Sequence, residues 1–422
     1  MTIVTKGMRK IKLKEVCDRI TVGHVGPMAD KYTAEGVPFL RSQNITAFRL
    51  NLDDIKFVPP DFHEKLRKSA LQAGDVAVVR TGYPGTACVI PNTFTDLNCA
   101  DLVVITPSKE LNPYYLAAIF NSAWGVASVA GNLVGAAQQH FNIGAAREME
   151  VSLPPRPTQD LIAGILSAYD ELMENSQRRI RILEAMARSL YREWFVHFRF
   201  PGHEKHPRVA SHVGDIPKGW EATTLGAHLA ALESGKRPKG GIREEAEGVP
   251  SIGAENINGI GRHEFASEKL IPREFFEQMR KGVVRNLDVA LYKDGAYIGK
   301  SSYFRDGFPH SECCVNEHVF LLRANGIRLK QNALYIWLQE PDTVQTIRSK
   351  NANAAQPGIN QQTVGGLELI LPDEKTAAHF DRLVEPLLAE IINLAKRIQN
   401  LHRTRDLLLP RLLSGQLEIG NN

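Results

Sequence analysis

Apolar and polar positions alternate along this chain in two distinct rhythms. From 162 to 194, apolar or small residues fall at Ile162, Leu166, Tyr169, Met173, Ser176, Ile180, Leu183, Ala187, Leu190 and Trp194. Steps of four and three alternate without a break, which predicts a helix with a heptad seam. The same spacing recurs 218 residues later at Phe380, Val384, Leu387, Ile391, Leu394, Ile398, Leu401, Arg405, Leu408 and Leu412. Two seams in one register predict two long helices packed antiparallel, with Ile180, Leu183, Leu190, Ile398, Leu401 and Leu408 as coiled-coil positions. Thr158 is the expected cap of the first helix and Asp373 of the second. Pro386 predicts a kink or a later start, and the first helix is expected to close at Pro201-Gly202. Elsewhere the rhythm is shorter. Val76–Val79, Leu102–Ile105, Val289–Tyr292 and Val319–Leu322 are apolar runs bounded by turn residues and read as strands. Asn112–Ala127 and Ala333–Lys350 read as helices.

These elements occur twice. Gly36-Val37-Pro38-Phe39-Leu40-Arg41-Ser42-Gln43-Asn44-Ile45 matches Gly248-Val249-Pro250-Ser251-Ile252-Gly253-Ala254-Glu255-Asn256-Ile257 at an offset of 212. Asp75-Val76-Ala77-Val78-Val79-Arg80-Thr81-Gly82 matches Asp288-Val289-Ala290-Leu291-Tyr292-Lys293-Asp294-Gly295 at 213. Met149–Pro154 matches Leu367–Pro372 at 218. The expected fold class is α+β: two mixed α/β domains separated by two long helices, in a pseudo-two-fold internal repeat. The expected divisions are 1–156 for the first domain, 157–202 for the first helix, 203–372 for a linker and the second domain, and 373–422 for the second helix and tail.

Composition adds little. The 422 residues carry a net charge of +4, with 43% hydrophobic and 23% charged residues, which is ordinary for a globular protein. No run reaches the roughly 18 apolar residues of a membrane helix, and the N-terminal segment has no apolar h-region. Five irregularly spaced cysteines do not suggest a disulfide framework. A cytoplasmic protein is expected.

Two segments carry a resemblance. Leu190-Tyr191-Arg192-Glu193-Trp194-Phe195-Val196-His197-Phe198-Arg199-Phe200-Pro201-Gly202 resembles the central conserved region of type I restriction-modification specificity subunits. Leu407-Leu408-Leu409-Pro410-Arg411-Leu412-Leu413-Ser414-Gly415-Gln416-Leu417-Glu418-Ile419 is similar to their C-terminal conserved region. Gly74-Asp75-Val76, Arg80-Thr81-Gly82 and Lys293-Asp294-Gly295 look like the scaffold of their recognition domains. The resemblance implies a non-catalytic subunit with two target recognition domains, each reading half of a gapped double-stranded DNA sequence. It implies docking of two methyltransferase subunits at the conserved regions, and of two restriction subunits in the restriction complex. S-adenosylmethionine, ATP and Mg are expected on those partners, with no cofactor in this chain. From Ile162 to Trp194 a helix rises roughly 48 Å, the length of about 14 base pairs, as a spacer between half-sites requires.

Base reading needs Arg or Lys for guanine and Asn or Gln for adenine. The candidates are Arg41, Gln43, Asn44, Arg80, Thr81, Tyr83, Gln138 and Gln139 in the first domain. Their counterparts are Asn256, Lys293, Lys300, Ser301 and Gln356 in the second. The competing reading of each is a self-capping polar turn. The basic runs Lys6–Lys14 and Lys236–Lys239 are candidate phosphate contacts. Trp194, Phe195, Phe198 and Phe200 are candidates for partner docking, against the alternative of packing at the helix end.

No Gly-x-x-x-x-Gly-Lys-Ser/Thr loop is present. Asn112-Pro113-Tyr114-Tyr115 lacks the second proline of an adenine methyltransferase motif and reads as a helix start. His310, Cys313, Cys314 and His318 match no standard zinc spacing, so no metal site is expected there. The alternative function is a structural scaffold whose paired modules bind no DNA.

Overall fold

The computed structural model describes residues 8–133, 140–238, 247–350 and 358–416. The chain forms two compact units. The first comprises Met1–Met173 with Leu401–Asn422, the second Glu174–Asn400.

In the first unit, a four-stranded antiparallel sheet runs in the order Cys17–Val22, Leu102–Pro107, Val76–Val79, Ala87–Val89. The central strands read as unbroken apolar runs because both faces of the sheet are covered. Val76, Val78, Val103 and Ile105 face the helix side, with Tyr115, Leu116 and Phe120. Ala77, Val79, Leu102 and Val104 face the other way, against Leu40, Ile45 and Leu97. This is the two-residue period of a pleated strand, with two cores sharing one sheet. The second unit repeats it in the order Leu229–Ser234, Val319–Ala324, Asp288–Tyr292, Ser301–Phe304. There Val289, Leu291, Phe320 and Leu322 face one core, and Ala290, Val319 and Leu321 the other.

A small mixed sheet also occurs twice. Val37–Leu40 lies between Lys56–Val58 and Asn98–Cys99, and Val249–Ile252 between Lys269–Ile271 and Cys314–Val315. A third shared feature is a two-stranded closure. Arg9–Lys12 pairs with Glu150–Leu153, and Glu221–Thr224 with Glu368–Leu371. The internal repeat is therefore a repeat of topology.

The predicted helices each split once. Asn112 caps Pro113–Asn121, its Oδ1 accepting from Tyr114 N (2.8 Å) and Tyr115 N (3.1 Å). The chain then breaks at extended Ser122, which caps Ala123–Ala130. The counterpart splits into Gln331–Leu338 and Pro341–Ser349. Pro341 forces the residue before it out of the helical region.

The first long helix is Arg156–Tyr191, followed by a π turn at Arg192–Val196. It starts before Thr158, so the expected Thr158 cap is not made. The Thr158 and Gln159 N–H groups donate to Pro155 O instead, and Pro157 sits in the first turn, where a helix needs no N–H. The second long helix is continuous over Glu374–Leu413. Asp373 caps it, Oδ1 accepting from Thr376 N at 3.0 Å. Of the two alternatives expected at Pro386, a kink or a later start, the later start does not occur.

Within each unit the two helices pack antiparallel. Within the first unit, Ile162 and Leu166 share a core with Leu409 and Leu412. Arg405, a charged residue in a seam position and 8% exposed, bonds Asp170 at 2.7 Å. Within the second, Arg179 reaches Glu390 (3.1 Å), and Tyr191 and Trp194 pack on Phe380. Ile180 is buried. Leu183, Leu190 and Ile398 pack half-buried on the second unit's core, and Leu408 on the first's. Leu401 is half-buried.

Candidate nucleic-acid interface

Asn44 and Asn256 occupy the same repeat position and do the same internal work. Asn44 Oδ1 accepts from Arg41 N (2.9 Å) and its Nδ2 donates to Asn51 O (2.9 Å). Asn256 Oδ1 accepts from Gly253 N (3.1 Å) and its Nδ2 donates to Glu264 O (2.8 Å). Both are buried. A buried amide with its donors and acceptor spent on the backbone has none left for a base edge, so these two follow the self-capping reading. Ser301 is likewise buried and accepts from Gln339 Nε2 at 2.6 Å.

The side chains beside Asn44 reach the surface. Arg41 Nη2 donates to Asp54 O (2.6 Å) and Oδ2 (3.0 Å), and Gln43 Nε2 to the same Oδ2 (3.2 Å). Hydrogen bonds from Lys56 and Arg41 hold the Asp54 carboxyl down at about 2. Asp54 thus fixes both candidates in place.

At the end of the Val76–Val79 strand, Arg80 Nη1 donates to Asp101 Oδ1 (3.1 Å) and Thr81 Oγ1 to Asp101 Oδ2 (2.5 Å). Tyr83 stands at the tip of the following loop, 85% exposed. Gly82 and Gly85, at φ of +85° and +95°, let the loop turn sharply around it.

The second unit places its equivalents at the same strand end. Asp294 Oδ2 lies 2.7 Å from His318 Nδ1. By register, Asp294 corresponds to Thr81 and His318 to Asp101. One cross-strand contact is therefore built twice, from different side chains. Arg237 pairs with Glu317 and reaches His318 Nε2 (3.1 Å). Lys293 Nζ lies over the Phe320 ring (4.9 Å) and Lys300 Nζ over the half-exposed Tyr297 ring (4.4 Å). An open cavity of about 160 Å³ is lined by Arg237, Glu255, Asn256, Lys269, Glu317 and His318 among others. Asp54, Asp101 and Glu317 were missed by sequence reasoning. Each acts across strands or loops, a relation that no local pattern encodes.

Gln138, Gln139 and Gln356 lie outside the described residues, as do Lys6 and Lys239. Of the N-terminal basic run, Arg9 pairs with Glu110, while Lys12 (2.7 Å) and Lys14 (2.6 Å) share Glu148. Those cations already have carboxylate partners.

The aromatic candidates for docking are mostly interior. Trp194, Phe195 and Phe200 are buried. Phe195 meets Phe380 edge-on at 4.7 Å, and Phe200 stacks on Trp220 at 5.1 Å. Packing at the helix end accounts for all three. Phe198 is half-buried under Arg208, and Val196 is 47% exposed.

Asn112 is a helix cap and Tyr115 Oη donates to Ser152 O (2.9 Å), which is a structural use of the Asn-Pro-Tyr-Tyr segment. Cys313 and Cys314 are buried in separate clusters, and burial pushes the Cys314 thiol up to about 11. Among the described residues, no helix is long and apolar enough to cross a membrane.

Residues 5–185 match the type I restriction modification DNA specificity domain. The chain is similar, over part of its length, to specificity subunits of type I restriction-modification systems. Among its relatives, the type I restriction enzyme MjaIX specificity subunit of Methanocaldococcus jannaschii is 25% identical over 274 residues, 65% of this chain and 62% of that one. A putative MjaX specificity subunit from the same organism is 24% identical over 219 residues, 50% of this chain and 46% of that one. This chain thus matches less than two thirds of the length of either. The crystal structure of a type I S subunit from M. genitalium shares the fold, with a TM-score of 0.57 over 98% of this chain and 97% of that one, at 15% identity.

Proposed function

We propose that this chain is the DNA-reading subunit of a type I complex. Its two recognition domains each read one half of a bipartite, gapped target. The long helices set the gap, and partner subunits carry out adenine methylation or cleavage. The observation that carries this reading is the duplicated strand-end constellation. The contact Thr81–Asp101 in one copy is Asp294–His318 in the other. The same scaffold with different polar chemistry is what two half-sites of different sequence require.

Within that reading, Arg41, Gln43, Arg80, Thr81 and Tyr83 face one half-site, and Lys293 and Lys300 the other. The carboxylates of Asp54 and Asp101 hold their arginines preorganised, which lowers the entropy cost of binding. Residues 1–156 and 203–372 serve as the recognition domains. Residues 157–202 and 373–422 serve as spacer and methyltransferase docking site, with the exposed residues around Val196 and Phe198 as the contact surface. Two methyltransferase subunits bind one such chain, two restriction subunits complete the nuclease, and the complex works in the cytoplasm. S-adenosylmethionine, ATP and Mg belong to those partners.

The test is a methylome. The chain is co-expressed with its methyltransferase in a host free of adenine methylation, and modified adenines are read genome-wide. A two-part asymmetric motif that disappears when this chain is omitted is expected. A continuous motif, or no motif from a complex whose methyltransferase works with another specificity subunit, overturns the proposal.

A further inference from the structure

The second unit contains a polar cluster that the DNA-reading surface does not use. His263 and Glu268 flank the single turn Phe265–Ser267, and His310 comes from a separate loop. Their ligand atoms lie within 4.8 Å of one another. Both imidazoles present Nε2 to the same oxygen, Glu268 Oε1. The His263 side chain is 1% exposed, that of Glu268 15% and that of His310 25%. The Phe265 ring stands edge-on to both imidazoles, at 4.6 Å from His263 and 5.7 Å from His310, and so limits their rotation.

The repeat shows what this position holds otherwise. Val249 pairs with Ile271 as Val37 pairs with Val58, so Glu268 corresponds to Ile55. Ile55 packs half-buried on an apolar core. The second unit has therefore replaced an apolar contact by a carboxylate set between two imidazoles. Burying a carboxylate is costly unless a cation compensates it. Two imidazole nitrogens and one carboxylate oxygen form a donor set that suits a borderline divalent metal, and zinc above all.

We propose that His263 Nε2, His310 Nε2 and the Glu268 carboxylate bind one zinc ion in the second unit, with water in the fourth position on the side of the partly exposed His310. Zinc–ligand distances of about 2.0–2.2 Å are within reach of small side-chain rotations. The ion cross-links the segment 263–268 to the loop that carries His310. The site is independent of the DNA-reading assignment.

The test uses the full-length chain, stripped of metal and titrated with Zn²⁺ against a chromophoric chelator, then with Co²⁺ for its visible spectrum. One equivalent per chain is expected, with d–d bands of a four-coordinate cobalt site and no thiolate charge-transfer band. His310→Ala, at the most exposed ligand, and Glu268→Gln should each weaken binding about tenfold or more. The metal-free melting temperature of His310→Ala should match that of the metal-free parent. No uptake at micromolar zinc by the folded parent overturns the proposal. So does a thiolate band in the cobalt spectrum, or binding by folded His310→Ala as tight as the parent's. Should Glu268→Gln fail to fold, the parent titration and His310→Ala decide the matter.

Discussion

Replacing Arg323 with methionine isolates what a buried ion pair does in this scaffold. Asp288 opens the central strand of the second unit and is 1% exposed. Its carboxylate is gripped by Arg323 Nε (2.6 Å) and Nη2 (2.7 Å), with Arg285 N (2.8 Å) as a third donor. Arg323 also bonds Glu233 at 2.5 Å. Burial pushes the Asp288 carboxyl above its ordinary range, against the pull of Arg323. Arg323→Met removes two of the three donors and leaves buried Asp288 and part-buried Glu233 as two carboxylates without their shared cation. Losing one member of such a pair costs about 3–5 kcal/mol. At 1.4 kcal/mol per tenfold, that is roughly two to three and a half decades in the folding equilibrium. The repeat also suggests a rescue. In the first unit Asp75 is held by Arg19 (2.7 Å) and by Thr106 (2.5 Å), which face each other across the strands. The matching cross-strand pair is Ala231 and Arg323. The double variant Ala231→Arg, Arg323→Thr rebuilds the first unit's arrangement and should recover part of the loss. The assay is urea denaturation followed by tryptophan fluorescence, since Trp194, Trp220 and Trp337 all lie in the second unit. A cost for Arg323→Met below about 1 kcal/mol, or a double variant less stable than the single, would refute the reasoning.

Three further outcomes follow from other contacts. Asn256→Ala strips two backbone groups of their partners and should cost about 1–3 kcal/mol, yet leave the methylated motif unchanged. Tyr83→Ala should leave stability unchanged and weaken DNA binding, so melting curves and methylomes of the two variants separate scaffold from reader. The Glu148 carboxyl is held down at about 2 by hydrogen bonds from Lys12 and Lys14. Its contribution to stability is present above its ordinary value of 4.5 and is lost as the pH falls through about 2. Denaturation midpoints of Glu148→Gln and the parent should therefore differ at neutral pH, less so in high salt, and converge near pH 2.

The heptad spacing was legible because a long seam repeats one rule many times, and each seam position from Ile162 to Trp194 is buried or half-buried. The central strands were legible because both faces are covered and every residue must be apolar. Helix breaks were partly hidden. Pro341 announces one, but Ser122 breaks a run whose apolar pattern continues across it. The polar candidates divided by burial, which sequence does not report. Arg80 and Asn44 look alike as surface polar residues of a turn, yet Asn44 faces inward and Arg80 meets Asp101 only because two strands end together. His310 was noticed beside the wrong partners. Cys313 and Cys314 are its neighbours in sequence, whereas His263 and Glu268 join it through the fold.

The closing strand pairs have one more consequence. Lys12 lies opposite Glu150, and Thr224 opposite Glu368, so the chain enters and leaves each mixed α/β domain at adjacent points. A domain stitched to itself at its ends is a cassette. Exchange of the segment between those pairs leaves both long helices with the flanking sequence they had before. On the proposed function, a change of DNA sequence preference would then need only the exchange of a whole domain, without a series of point changes each having to preserve the helices.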